Sequence, residues 1–196
     1  KYKVKMHIKI IGKGNPILLI HGWGMSGKIW DEFSKLMRNN NKLYIVDLPG
    51  MGKSELIKPY TIDDLINKIH DLIPEKVTII GWSLGSQIAM KYYLKYPKSV
   101  NYLVCISSTP CFIKKPGWEY GVNKNFFSKF KKELLNNWKK TLRKFFLLQI
   151  KEDEERNSIL KKIETNFIDE QPPKKEGLEK ALEILEEIDM RNDMKN

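Results

Sequence analysis

Ser83 is the residue of this chain whose surroundings best suit a nucleophile. It is the centre of Gly81-Trp82-Ser83-Leu84-Gly85, a G-x-S-x-G pattern. The apolar, β-branched run Val77–Ile80 precedes it, and helical spacing resumes from Gln87. A sharp strand-to-helix turn of this kind lifts the central hydroxyl out of the backbone, and the flanking glycines let the two arms of the turn approach closely. The start of the helix favours negative charge beside the hydroxyl. That combination suits attack on an ester carbonyl. Halide displacement is disfavoured, because it needs a carboxylate where Ser83 stands.

Such an attack creates an oxyanion, which needs two N–H donors. The backbone N–H of Leu84 supplies one. The second is assigned to Trp23, in His21-Gly22-Trp23-Gly24 directly after the apolar run Ile17–Ile20. Losing one such donor typically costs about 2.7–4 kcal/mol of barrier lowering. His21 precedes this loop and is read as a residue that fixes it, not as a base. A third motif, Asp47-Leu48-Pro49-Gly50-Met51-Gly52-Lys53-Ser54, ends like a phosphate-binding loop. That motif needs Gly five residues before its Gly-Lys pair, where this chain has Asp47, so the phosphate reading fails on spacing.

These motifs need a scaffold of alternating strands and helices. Strands are expected at Met6–Ile11, Ile17–Ile20, Leu43–Val46, Val77–Ile80 and Val100–Ile106. Helices are expected at Ile29–Met37, at Thr61–Ile73 with a Thr61-x-x-Asp64 cap, and at Gln87–Tyr96. Continuous apolar strands imply a parallel sheet covered on both faces. After Pro110 the pattern is helical: Phe126–Lys139, Thr141–Ile150, Lys151–Phe167, then a break at Pro172-Pro173 and a last helix at Leu178–Ile188. The expected organisation is a core over 1–110, a helical lid over 111–175 and a return helix over 176–196.

The chain has 196 residues, 41% hydrophobic and 30% charged, enough for one domain with a sizeable core. No apolar run approaches the length of a membrane span. The net charge of +11 invites a nucleic-acid reading. The composition argues against it: four Arg stand among 31 Lys, with 14 Asn and two Ala, as coding bias would produce. The distribution says more. Residues 111–151 carry 11 basic and 2 acidic side chains, whereas 152–196 carry 8 and 14. Cys105 and Cys111 match no zinc or redox spacing. Both are expected as free thiols of a cytoplasmic protein, with Cys105 in the core.

Taken together, the three motifs resemble those of the α/β-hydrolase family. With Ser107-Ser108-Thr109-Pro110-Cys111-Phe112 and the segment Lys140–Gln149, the chain more narrowly resembles the pimeloyl-acyl-carrier-protein methyl ester esterases of biotin synthesis. The resemblance implies an α/β-hydrolase fold with an inserted helical lid, no metal and no cofactor. It places Ser83 as nucleophile and Trp23 and Leu84 at the oxyanion and substrate positions. Phe145, Phe146, Leu147, Leu148 and Gln149 would line the acyl channel. Lys140, Arg143 and Lys144 would meet an acidic acyl carrier protein, in keeping with the cationic central segment. A monomer free of nucleic acid and membrane is expected.

The resemblance also exposes a gap. In this fold an acid and then a His follow the nucleophile in the chain. The three histidines here, His7, His21 and His70, all precede Ser83. Neither Asp189 nor Asp193 is promoted to the acid. The chain is therefore expected to correspond to the first three quarters of such an esterase, with its last strands absent, Val100–Ile106 as a bare edge and little activity. Rival readings are another small-ester hydrolase on the same scaffold, or a carrier-binding module without catalysis.

Overall fold

Three runs of apolar residues build the middle of a five-stranded sheet. The computed structural model describes residues 5–194. The strands are β1 (Ile8–Ile11), β2 (Asn15–Ile20), β3 (Asn41–Val46), β4 (Val77–Trp82) and β5 (Val100–Ile106). Their order is β1-β3-β2-β4-β5, with β1 antiparallel to β3 and the other pairs parallel. The chain leaves β2 to form β3 on one side and later returns to form β4 on the other. In an open sheet, the carboxyl ends of strands at such a reversal form a crevice suited to a ligand. The Trp23 loop and Ser83 stand at those two ends.

Alternate strand residues enter different cores. Leu18, Ile20, Tyr44, Val46, Val77 and Ile79 face α2 (Ile62–Leu72) and α3 (Leu84–Lys95). Ile17, Leu19, Leu43 and Ile45 face Trp30, Phe33 and Met37, from a 3₁₀ turn (Gly27–Trp30) and α1 (Asp31–Met37). The Thr61 hydroxyl caps α2, accepting from the Asp64 N–H at 3.1 Å. Leu36, although apolar, faces solvent from α1.

After β5 come α4 (Lys124–Asn136), α5 (Trp138–Leu147) and α6 (Arg156–Glu164), and α6 runs into a π-helical turn (Thr165–Asp169). Asn123 and Asn137 cap the first two, which moves both starts earlier than apolar spacing suggested. The expected helix from Lys151 begins only at Arg156. Helix α7 (Lys175–Glu187) follows. No helix among the described residues is long and apolar enough to cross a membrane.

The second face of the sheet is covered unevenly. Ile80 pairs with Val104 and Trp82 with Ile106, so Tyr102, Val104 and Ile106 lie on the face that α1 occupies near β2 and β3. At β5 they are exposed, Tyr102 by 74%. Cys105 is exposed as well, which corrects its expected core position. Among the described residues no strand lies beyond β5, so a side chain there is open to water from the edge. Cys111 is buried, and both thiols are free. Strand β5 carries no charged residue, although Lys on an edge strand commonly blocks pairing with other chains. Val104→Lys should therefore reduce concentration-dependent association, read by light scattering, with an unchanged far-ultraviolet circular dichroism spectrum.

Candidate active site

Ser83 lies between the last residue of β4 and the first of α3, with φ 54° and ψ −118°. Positive φ at a residue with a Cβ costs about 1–3 kcal/mol and persists only where its surroundings enforce it. Here both glycines of the motif are sterically required. A Cβ on Gly81 would lie 2.5 Å from the Gly85 carbonyl oxygen, and one on Gly85 would lie 2.7 Å from the His21 carbonyl oxygen. Helix α3 thus starts against the end of β2 and begins at Leu84, three residues earlier than expected.

Two residues that the sequence reading passed over brace this turn. The Ser86 hydroxyl donates to the Gly81 carbonyl at 2.6 Å and accepts from the Ile106 N–H at 3.2 Å. Gln87 Nε2 donates to the Thr109 carbonyl at 2.9 Å. The Ser83 N–H donates to the Ile106 carbonyl at 2.9 Å. The elbow is therefore tied to β5 as well as to β4. The available signal was two polar residues where a buried helix begins.

The loop after β2 folds over the elbow. A Cβ on Gly22 would stand 3.4 Å from the Ser83 Cβ, so Gly22 packs directly on the nucleophile. The Trp23 ring is buried, its Nε1 donating to the Leu178 carbonyl at 2.9 Å. Phe130 and Phe145 meet it edge-on, with ring centroids 5.6 and 5.0 Å away. That clamp fixes the Trp23 ring, one residue along the chain from the Gly22 that packs on Ser83. Leu84, at the first position of α3, has an N–H with no intrahelical acceptor. The positive end of α3 is thus directed at the space beside the hydroxyl.

His21 fixes this loop, as expected. The Leu48 N–H donates to its Nε2 at 2.9 Å, so the proton sits on Nδ1, which donates to the Gly22 carbonyl at 2.8 Å. Burial pushes its pKa below the usual 6.5, outweighing the Gly22 carbonyl and the Asp47 charge, which both favour protonation. The motif from Asp47 to Ser54 is likewise structural. The Asp47 carboxylate accepts from the Gly27 N–H at 2.6 Å, the Lys53 N–H at 2.9 Å and His7 Nδ1 at 3.0 Å. A Cβ on Gly52 would strike that carboxylate. His70 stacks on Tyr96 with ring centroids 3.8 Å apart and bonds the Tyr92 hydroxyl. All three imidazoles are thus engaged away from Ser83.

Comparison with known proteins agrees with this geometry. The sequence profile described as "alpha/beta hydrolase fold" matches residues 15–192. The chain belongs to the alpha/beta hydrolase fold family. It is 37% identical over 188 residues to the pimeloyl-[acyl-carrier protein] methyl ester esterase of Wigglesworthia glossinidia brevipalpis, covering 95% of this chain and 72% of that one. It is 31% identical to the protein of the same name from Nitrosomonas europaea, covering 96% of this chain and 75% of the relative. Among solved structures, an esterase from Exiguobacterium antarcticum superposes with a TM-score of 0.86 at 23% identity, over 96% of this chain and 72% of its own.

In this hydrolase the other residues singled out from the sequence divide into two groups. Phe145 packs on Trp23, Phe146 is buried and lines a cavity with Gln149, and Leu147 is half-buried. Leu148 is 77% exposed and faces solvent, which corrects its assignment to the channel. It follows the last residue of α5. Arg143 pairs with Glu164, and Lys144 pairs with Glu133 at 3.1 Å. Lys140 is exposed on the same helix.

Two outcomes follow. Ser83→Gly should raise the unfolding free energy by about 1–3 kcal/mol in urea titrations, because glycine tolerates positive φ; Ser83→Ala should give no such gain. The unfolded chain protonates His21 near the ordinary value, whereas the folded chain resists. Its contribution is therefore intact above about pH 6.5 and lost as the pH falls below it. The melting temperature should fall between about pH 7.5 and about pH 5.5, and His21→Gln should flatten that slope.

Proposed function

We propose that this chain is the catalytic core of a carboxylesterase acting on the methyl ester of pimeloyl-acyl-carrier protein, in biotin synthesis. The observation that carries this reading is the Ser83 elbow, strained at positive φ with the Trp23 loop packed on it. The names of the relatives supply the substrate. Ser83 Oγ attacks the ester carbonyl carbon and its proton passes to a base. The N–H groups of Trp23 and Leu84 hold the oxyanion, methanol leaves, and water then releases the acid from the acyl-enzyme. Phe145, Phe146 and Gln149 border the acyl group. Lys140, Arg143 and Lys144 attract the acidic carrier and raise the rate of encounter. The protein works as a cytoplasmic monomer.

His7, His21 and His70 are each engaged with other partners, so no imidazole among the described residues is placed to serve Ser83 as a base. Loss of the base from a triad costs about 10⁶-fold in kcat in a well-studied case. The 196-residue chain should therefore hydrolyse the carrier-bound methyl ester barely above background. Fusion to the residues that follow the matched region in the Wigglesworthia esterase should restore turnover, and Ser83→Ala in that fusion should abolish it. Lys140→Glu with Lys144→Glu should slow the fusion about tenfold or more on the carrier-bound ester at low salt, and leave a small aryl ester unaffected. A fusion that binds carrier yet hydrolyses neither ester would instead favour a binding module.

A further inference from the structure

A groove of about 700 Å³ is lined by residues of α2, α3 and α7, and Ser83 is not among them. One wall is a single face of α7, where Glu176, Lys180, Glu183 and Glu187 recur at three- and four-residue spacing. The other comes from the turn Lys58–Thr61 before α2 and from Lys91 on α3. The base is hydrocarbon. Ile57, Ile184 and Ile188 are buried, and the Tyr60 ring joins them with its hydroxyl donating to the Pro49 carbonyl at 3.1 Å. The volume lies within the roughly 300–1,000 Å³ of small-molecule sites.

Most charges around the groove are already matched. Lys58 pairs with Glu176 at 3.4 Å, Lys180 with Glu183 at 2.7 Å, and Asp189 with Arg191 at 2.8 Å. Two are not. Lys91, half-buried, has no ion pair among the described residues, and its neighbour Asp63 is held by Lys95 at 2.8 Å. Glu187 has none either, and its neighbour Lys180 is held by Glu183. The groove thus offers an uncommitted cation from α3 and an uncommitted carboxylate from α7 around an apolar base. A simple anion would satisfy Lys91 but face the glutamates of α7. A simple cation would satisfy Glu187 but face Lys58 and Lys91. A linear molecule with a carboxylate at one end, an ammonium at the other and methylenes between them satisfies both poles and covers the base.

We propose that this groove is a binding site for linear ω-amino acids. The ligand carboxylate meets Lys91, its ammonium meets Glu187, and its methylenes lie on Ile184, Ile188 and the Tyr60 ring. The site is separate from the Ser83 elbow and does not rest on the esterase reading.

Nuclear magnetic resonance titration of the ¹⁵N-labelled 196-residue chain with 6-aminohexanoate, hexanoate and hexylamine tests the proposal. The amides of residues 58–62, 91 and 180–189 should shift. 6-Aminohexanoate should bind about fivefold more tightly than hexanoate or hexylamine, since each of those lacks one ion pair. It should bind about fourfold more tightly than 4-aminobutanoate, which covers less of the base. Lys91→Met should weaken 6-aminohexanoate to the level of hexylamine and leave hexylamine unchanged. Glu187→Gln should weaken it to the level of hexanoate and leave hexanoate unchanged. Equal affinity for 6-aminohexanoate and its two singly charged analogues, shifts confined to other residues, or a preference for the amino acid that survives both substitutions would overturn the site.

Discussion

The near-contact between the start of α3 and the end of β2 is the constraint on which the site depends. Gly85 lies against the carbonyls of Ile20 and His21, Gly81 against the turn at Gly85, and Gly22 against Ser83. Three chain segments share a space with no room for a Cβ at any of these glycines without displacement. Under that crowding Ser83 holds a positive φ, and Gly22 of the loop after β2 packs on its Cβ. Larger side chains then lock the arrangement from outside: Trp23 through Leu178, and His21 through Leu48.

Much of this was legible in the order of residue types. The apolar runs at Ile17–Ile20, Leu43–Val46 and Val77–Ile80 mark strands because both faces of the central sheet are buried. The Gly-x-Ser-x-Gly pattern located the turn because no other residue type fits it. The Thr61 cap stood where a hydroxyl precedes an acidic residue by three. The rest was illegible for physical reasons. Burial of Cys105 depends on what lies beyond β5, and an apolar run cannot tell a central strand from an edge. The helix starts at Lys124 and Trp138 are set by Asn caps rather than by apolar spacing. Ser86 and Gln87 brace the elbow through hydrogen bonds to main-chain atoms of residues 81, 106 and 109, and no local pattern announces such partners.

Charge and shape are divided over the helices α4, α5 and α6. The cations of α5 partly neutralise acids on α4 and α6, through Lys144 with Glu133 and Arg143 with Glu164. These pairs link the three helices to one another at the surface, where each contributes little alone. The apolar faces of the same helices close over Trp23 and Trp82. One element therefore presents positive potential outward and hydrocarbon inward, which suits a ligand with an anionic carrier or head group and a methylene stem.

The hydroxyl of Ser86 joins the nucleophile's turn to the strand whose outer face is bare. Strand and turn are joined there by two hydrogen bonds, of 2.6 and 3.2 Å. Whatever molecular surface settles on Tyr102, Val104 and Ile106 would stiffen the strand and narrow the range of angles the hydroxyl can sample. Covering that bare margin would thus tune reactivity without touching the pocket.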